Sequence, residues 1–184
     1  WQYLGRSPLN RIRLPIGIFR WKMEKEGHGT VLAAATTYAI DWKKPDLFIP
    51  HDLARVLDKK EEIPRGMVRV AGAKTTIGRL DDFFIDQCEV TNRRFKEFIL
   101  AGGYQNKSFW KERFIRAGKE LAWDDAIKAF IDQTGQPGPA GWLAGDHPEG
   151  QAEYPVSGIS WYEAAAYAEF AGKCLPTIFH WAIA

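Results

Sequence analysis

Ser160 and Glu163 stand three residues apart at the head of an alanine-rich run, SWYEAAAYAEFAG, and no other feature constrains the folding of this chain as tightly. The serine hydroxyl can accept from the backbone N–H three residues on, while the glutamate reaches back to the serine N–H. The pair therefore fixes a helix start. Gly172 supplies a left-handed exit. Leu175-Pro176-Thr177 then re-caps a further helix, with Thr177 at its N-cap and His180 at the third helical position. Trp161, Ala164, Ala165 and Ala168 are expected to face the core. The last helix runs into residue 184, so the chain reads as a truncated domain.

Eight Trp and an apolar fraction of 46% among 184 residues predict a packed globular core rather than disorder. The net charge is +2, and Lys25, Lys59, Lys60, Arg93, Arg94 and Lys96 are interleaved with acids, which excludes a basic stripe for nucleic acid. No apolar run approaches the ~20 residues of a membrane span. Cys88 and Cys174 lack CxxC spacing, and two buried free thiols are the expectation.

Along the chain, residues 1–42 read as an all-β unit. Arg11 to Ile16 forms one short run. From Ile18 onward Phe19, Trp21 and Met23 alternate with Arg20, Lys22 and Glu24, the period-two pattern of a half-buried strand, and Val31 to Ala35 continues as another. Residues 43–64 read as a linker rich in charge and proline, with a strand from Leu53 to Leu57. Residues 65–184 open with strands at Met67 to Ala71 and Phe83 to Ile85. A helix capped by Thr91 or Asn92 follows, burying Phe95, Phe98 and Ile99. The segment 104–153 reads as an irregular aromatic insertion containing one helix from Trp123 to Gln133, with Ile127, Phe130 and Ile131 inward. The fold class is α+β.

From Met67 onward the chain resembles the formylglycine-generating enzyme / sulfatase-modifying-factor family. The anchors are Gly66-Met67-Val68, Phe84-Ile85-Asp86-Gln87-Cys88-Glu89-Val90-Thr91-Asn92, Pro155-Val156, Ile159-Ser160-Trp161, and Leu175-Pro176-Thr177 with Trp181. Ala101-Gly102-Gly103-Tyr104 and His180-Trp181 are similar to a bacterial subgroup that sits behind a serine/threonine protein kinase. Residues 1–42 resemble part of a PEGA repeat through Leu4-Gly5, Leu14-Pro15 and Glu24-Lys25-Glu26-Gly27.

The resemblance implies a small PEGA-like β unit followed by the N-terminal half of a C-type-lectin-like domain. It implies a fused kinase in the parent and an extracytoplasmic place in a membrane-anchored bacterial protein. Family enzymes oxidise a substrate cysteine with dioxygen at a copper-binding cysteine pair, and related members use histidine-bound non-haem iron. Those donors are expected after Ala184, so no catalytic, cofactor-binding or metal-ligating residue is carried onto this chain. Where the family commonly shows Arg and two Glu, this chain has Cys174, Ile178 and His180. The expectation is accordingly a non-catalytic binding or sensor module for a protein or small-molecule ligand. The alternative is part of a copper- or iron-dependent oxidoreductase.

Two sets of residues remain as candidates. Glu89, Thr91 and Asn92 read as a buried polar anchor at a strand-to-helix corner, or as a ligand contact. Ser160, Trp161, Glu163, Leu175, Pro176, Thr177 and Trp181 complete the structural motif. Trp110, Trp123 and Trp142, with His180, either build a binding face or pack their own loops. The four histidines, His28, His51, His147 and His180, have no ligand spacing.

Overall fold

The computed structural model describes residues 1–41, 44–50, 54–76 and 78–184. They form two compact units, residues 1–71 and 72–184.

In the first unit, β1 (Ile18–Met23) pairs antiparallel with β2 (Val31–Thr36), Ile18 opposite Thr36 and Met23 opposite Val31. The alternation holds: Phe19, Trp21 and Met23 share the half-buried face. The Trp21 indole donates to the Ala35 carbonyl at 3.3 Å, so the ring bridges its own ribbon. A second antiparallel ribbon joins β3 (Tyr38–Asp41) to β4 (Lys44–Pro50), with a register shift between Ile40 and Asp41. Asp58 and Arg69, the latter on β5 (Met67–Val70), form a forked ion pair, with Arg69 Nε donating to Asp58 Oδ2 at 2.6 Å. This bidentate bond holds the Asp58 carboxyl below the ordinary carboxylate range, against the opposing effect of burial.

In the second unit a short ribbon of β6 (Lys74–Thr75) and β7 (Gly78–Arg79) precedes β8 (Phe83–Asp86) and α1 (Asn92–Leu100). Thr91 caps α1, its hydroxyl accepting from Arg94 N. Phe95 and Phe98 lie one turn apart and are fully buried. A hairpin of β9 (Phe114–Arg116) and β10 (Lys119–Leu121) follows. Ala117 and Gly118 link them at φ 50° and 75°. Two successive left-handed residues match the twist of a two-residue hairpin loop. Next come α2 (Trp123–Ala126), α3 (Trp161–Phe170) and α4 (Ile178–Ile183).

Aromatic rings carry the core. Phe95, Phe98, Tyr104, Trp110, Phe114 and Trp142 are buried with Ala126 and Ala166. Phe95 stacks on Tyr167 at 5.6 Å, and Trp110 stacks on Phe130 at 5.4 Å. Gly103 is required here. A Cβ on it would stand 2.3 Å from the Phe98 ring, so only glycine lets the chain turn across that ring.

The α+β class stands, as small two-stranded ribbons plus helices. Several local expectations do not. Arg11 to Ile16 carries no strand, and residues 44–50 of the expected linker form β4. The strand expected from Leu53 to Leu57 is absent from residues 54–57, and Leu53 lies outside the described residues. The helix expected from Trp123 to Gln133 is α2 followed by one 3₁₀ turn that ends before Phe130, and Ile131 is exposed. Asp132 takes the backbone from there into a turn. Both cysteines are exposed rather than buried. No closed, curled sheet of lectin type occurs among the described residues. No helix among them is long and apolar enough to cross a membrane.

Candidate functional site

The start of α3 forms as its sequence dictates. Ser160 Oγ accepts from Glu163 N at 3.3 Å, and Glu163 Oε2 accepts from Ser160 N at 2.6 Å. Glu163 is only 3% exposed, and its other oxygen accepts from the Tyr104 hydroxyl at 2.5 Å. The capping glutamate is thus also a buried tie between α3 and the turn after α1. Burial pushes its carboxyl above the ordinary range, and the bonds from Ser160 and Tyr104 offset this only in part. Burial also pushes the Tyr104 phenol up, and the neighbouring Glu163 adds to it. Trp161, expected in the core, is 57% exposed because the inward face of α3 is set by Glu163, Ala166 and Ala168.

The corner before α1 is held by Asn92 rather than Glu89, which is exposed. Asn92 Nδ2 donates to the Gln151 carbonyl at 2.8 Å, and Asn92 Oδ1 accepts from the Trp142 indole at 3.3 Å. Asn92 N donates to the Tyr154 carbonyl at 2.9 Å. Trp142 and Trp110 are therefore anchored core rings, the latter donating to the Gly103 carbonyl at 2.8 Å. Trp123 is half-buried against the same core. The three rings form no exposed binding face.

Asp132, a residue the sequence reading passed over, organises the turn that follows. It accepts from Thr134 N and Thr134 Oγ1 at 2.7 Å, Gln136 N at 3.0 Å and Gly145 N at 2.6 Å. Burial pushes its carboxyl up, but these four bonds prevail and hold it down at about 2. Lys96 of α1 ties down the same loop, donating to the Gly145 carbonyl at 2.5 Å and pairing with Asp146 at 3.2 Å. An Asp two residues before Thr134-Gly135 is an Asx-turn signal that would have found it.

At α4, Thr177 and His180 form a reciprocal cap. His180 Nδ1 accepts from Thr177 N at 3.2 Å, and His180 N donates to Thr177 Oγ1 at 3.3 Å. An Nδ1 that accepts leaves the ring hydrogen on Nε2. The ring packs edge-on against Phe83 at 4.6 Å. Ile178 and Trp181 on α4 are exposed, as is Pro176, whereas Leu175 is half-buried.

Between α1, α3 and the segment leading into α4 lies a cavity of about 140 Å³. Val90, Phe95, Ile159, Ala164, Ala168 and Leu175 give it apolar walls. Tyr167, Cys174 and the ion pair of Lys173 Nζ with Asp86 Oδ1, at 2.6 Å, also line it.

Metal donors are not gathered here. Among the described residues no three His, Cys, Asp or Glu side chains stand together. His28 and His147 each bond a neighbouring backbone carbonyl, and His51 lies outside the described residues. Among the described residues the side chains therefore assemble no three-donor site of the kind that holds non-haem iron.

The family model for the sulfatase-modifying factor enzyme 1-like domain matches residues 50–184. The chain belongs to this family. The match corrects the boundary expected from sequence: it starts at residue 50, inside the expected linker, and takes in the C-terminal majority of the chain rather than the N-terminal half of a domain beginning at 65. The formylglycine-generating enzyme of Mus musculus is 29% identical over 180 residues, covering 84% of this chain and 46% of its own length. That is more of the chain than residues 50–184 contain, so the match reaches back into the segment expected to be PEGA-like. The formylglycine-generating enzyme of Thermomonospora curvata is 30% identical over 152 residues, with 67% of this chain and 50% of its own length covered. A serine/threonine-protein kinase of Chlamydia caviae is 30% identical over 105 residues, 57% of this chain and 14% of the kinase. The chain spans about half the length of the formylglycine-generating enzymes it matches. No solved structure matches. Relatives that are enzymes overturn the expected non-catalytic binding or sensor role, and with it the weight placed on Cys174, Ile178 and His180 as signs of lost chemistry.

Proposed function

We propose that residues 50–184 are part of an oxidoreductase domain of the formylglycine-generating type, dependent on a metal and dioxygen. The observation that carries this reading is the match to the formylglycine-generating enzymes of Mus musculus and Thermomonospora curvata over about half their length. When bound, the metal would supply dioxygen activation for oxidation of a substrate cysteine. Its donors are expected in the part of the relatives' length that this chain does not span. Cys88 and Cys174 are given no part in it.

The contribution of this chain is then a scaffold. The Tyr104–Glu163 tie, the Asn92 corner and the Asp132 turn fix α1, α3 and the long loop against one aromatic core, and rigid elements of this kind position a site precisely. A C-type-lectin-like arrangement of the whole domain belongs to the same proposal. So does a fused protein kinase, supported by the Chlamydia caviae relative.

The test uses the full-length protein that contains this chain. It is loaded with copper or with iron and incubated with a cysteine-containing peptide in air, and aldehyde is trapped with a hydrazide. Metal-dependent aldehyde supports the proposal. Unchanged peptide with both metals refutes it.

A further inference from the structure

We propose that the cavity between α1 and α3 is a binding site for one aromatic ring, and that a ring carried on a disulfide is captured covalently at Cys174. This is independent of the oxidoreductase reading. The volume, about 140 Å³, carries the first half of the inference. An apolar cavity of roughly 150 Å³ stays dry and takes up benzene. Here the apolar wall is Val90, Phe95, Ile159, Ala164, Ala168 and Leu175, and the cavity is partly open to solvent, which gives a ring a way in.

The lining carries the second half. Cys174 is both exposed and a cavity-lining residue, which places a free cysteine at the border between solvent and a ligand seated inside. Lys173 and Asp86 line the same cavity, their charges already matched in a 2.6 Å ion pair. They offer a polar border without an unpaired charge to repel an apolar group. In the capture step the Cys174 sulfur attacks one sulfur of a symmetric disulfide. A new mixed disulfide forms, the original S–S bond breaks, and the second half leaves as a thiol carrying the proton from Cys174. No oxidant beyond the added disulfide is consumed.

Cys88 is an internal control. It is also exposed and free, but it does not line the cavity. The experiment incubates the chain with dibenzyl disulfide or with bis(2-hydroxyethyl) disulfide under mild reducing exchange, and peptide mass spectrometry quantifies both cysteines. Burial of one ring predicts labelling of Cys174 over Cys88 by at least ~10-fold with the benzyl reagent, and near-equal labelling with the hydroxyethyl reagent. Ala164→Leu, which fills the cavity, is expected to bring the benzyl ratio close to one. Equal benzyl labelling of the two cysteines, or the same preference for Cys174 with both reagents, would overturn the proposal. The reagent comparison needs no substitution, so misfolding of the variant cannot decide it.

Discussion

The Tyr104 hydroxyl and Glu163 Oε1 meet at 2.5 Å across 59 residues of sequence, both side chains buried. The bond makes the helix cap of α3 a tertiary contact. Tyr104→Phe removes the hydroxyl that donates to Glu163 Oε1 while keeping the ring in the core. The expected loss is ~1–3 kcal/mol, the cost of stranding a buried acceptor. The urea midpoint should fall with an unchanged slope.

Glu163 also predicts a pH dependence. Its folded carboxyl lies above the ordinary 4.5, so the folded state holds this proton more tightly than the unfolded state. The stability it contributes is complete below pH 4.5 and is lost as pH rises through the folded value. Glu163→Gln removes this titration. In urea denaturation the advantage of the parent chain over Glu163→Gln should be greatest below pH 4.5 and shrink above it.

Asp132 predicts the opposite sign in a separate window. Its carboxyl is held at about 2, against 3.8 ordinarily. The stability it lends is present above pH 3.8 and drains away as pH falls toward 2. Asp132→Asn cannot accept from Gly145 with its amide nitrogen. Hydrogen exchange at the Gly145 and Gln136 amides should quicken in this variant at neutral pH. In the parent the protection of these amides, relative to their intrinsic exchange rate at each pH, should fall on acidification from pH 3.8.

Gly103→Ala places a methyl group 2.3 Å from the Phe98 ring, which is fully buried among other rings and has no room to withdraw. Overpacking of this kind costs ~1–3 kcal/mol. A lower thermal midpoint is expected, together with a weakened near-ultraviolet aromatic signal.

What the sequence made legible was local. The Ser160–Glu163 box, the Thr91 cap and the Thr177–His180 cap each depend on residues three apart, and each formed. The β1 alternation is likewise a period-two pattern within six residues. The Tyr104–Glu163 tie and the Asn92–Trp142 bond join residues 59 and 50 apart, and no periodicity connects them. The burial of Trp110 and Trp142 followed from the same long-range packing. Trp161 was misplaced because alanine spacing alone could not tell which face of α3 turns inward. The exposure of Cys88 and Cys174 contradicts the general tendency of free thiols to be buried, a tendency that says nothing about one position. Asp132 was readable in principle from its turn chemistry.

The central claim is that residues 50–184 belong to an oxidising domain. It is tested most directly by following dioxygen uptake and peptide thiol loss together, with the full-length protein, a cysteine-containing peptide and added copper or iron. The account predicts that the two decline in step, that uptake requires both peptide and metal, and that an aldehyde appears in the peptide. Dioxygen and thiol levels that match the protein-free control with either metal would contradict it.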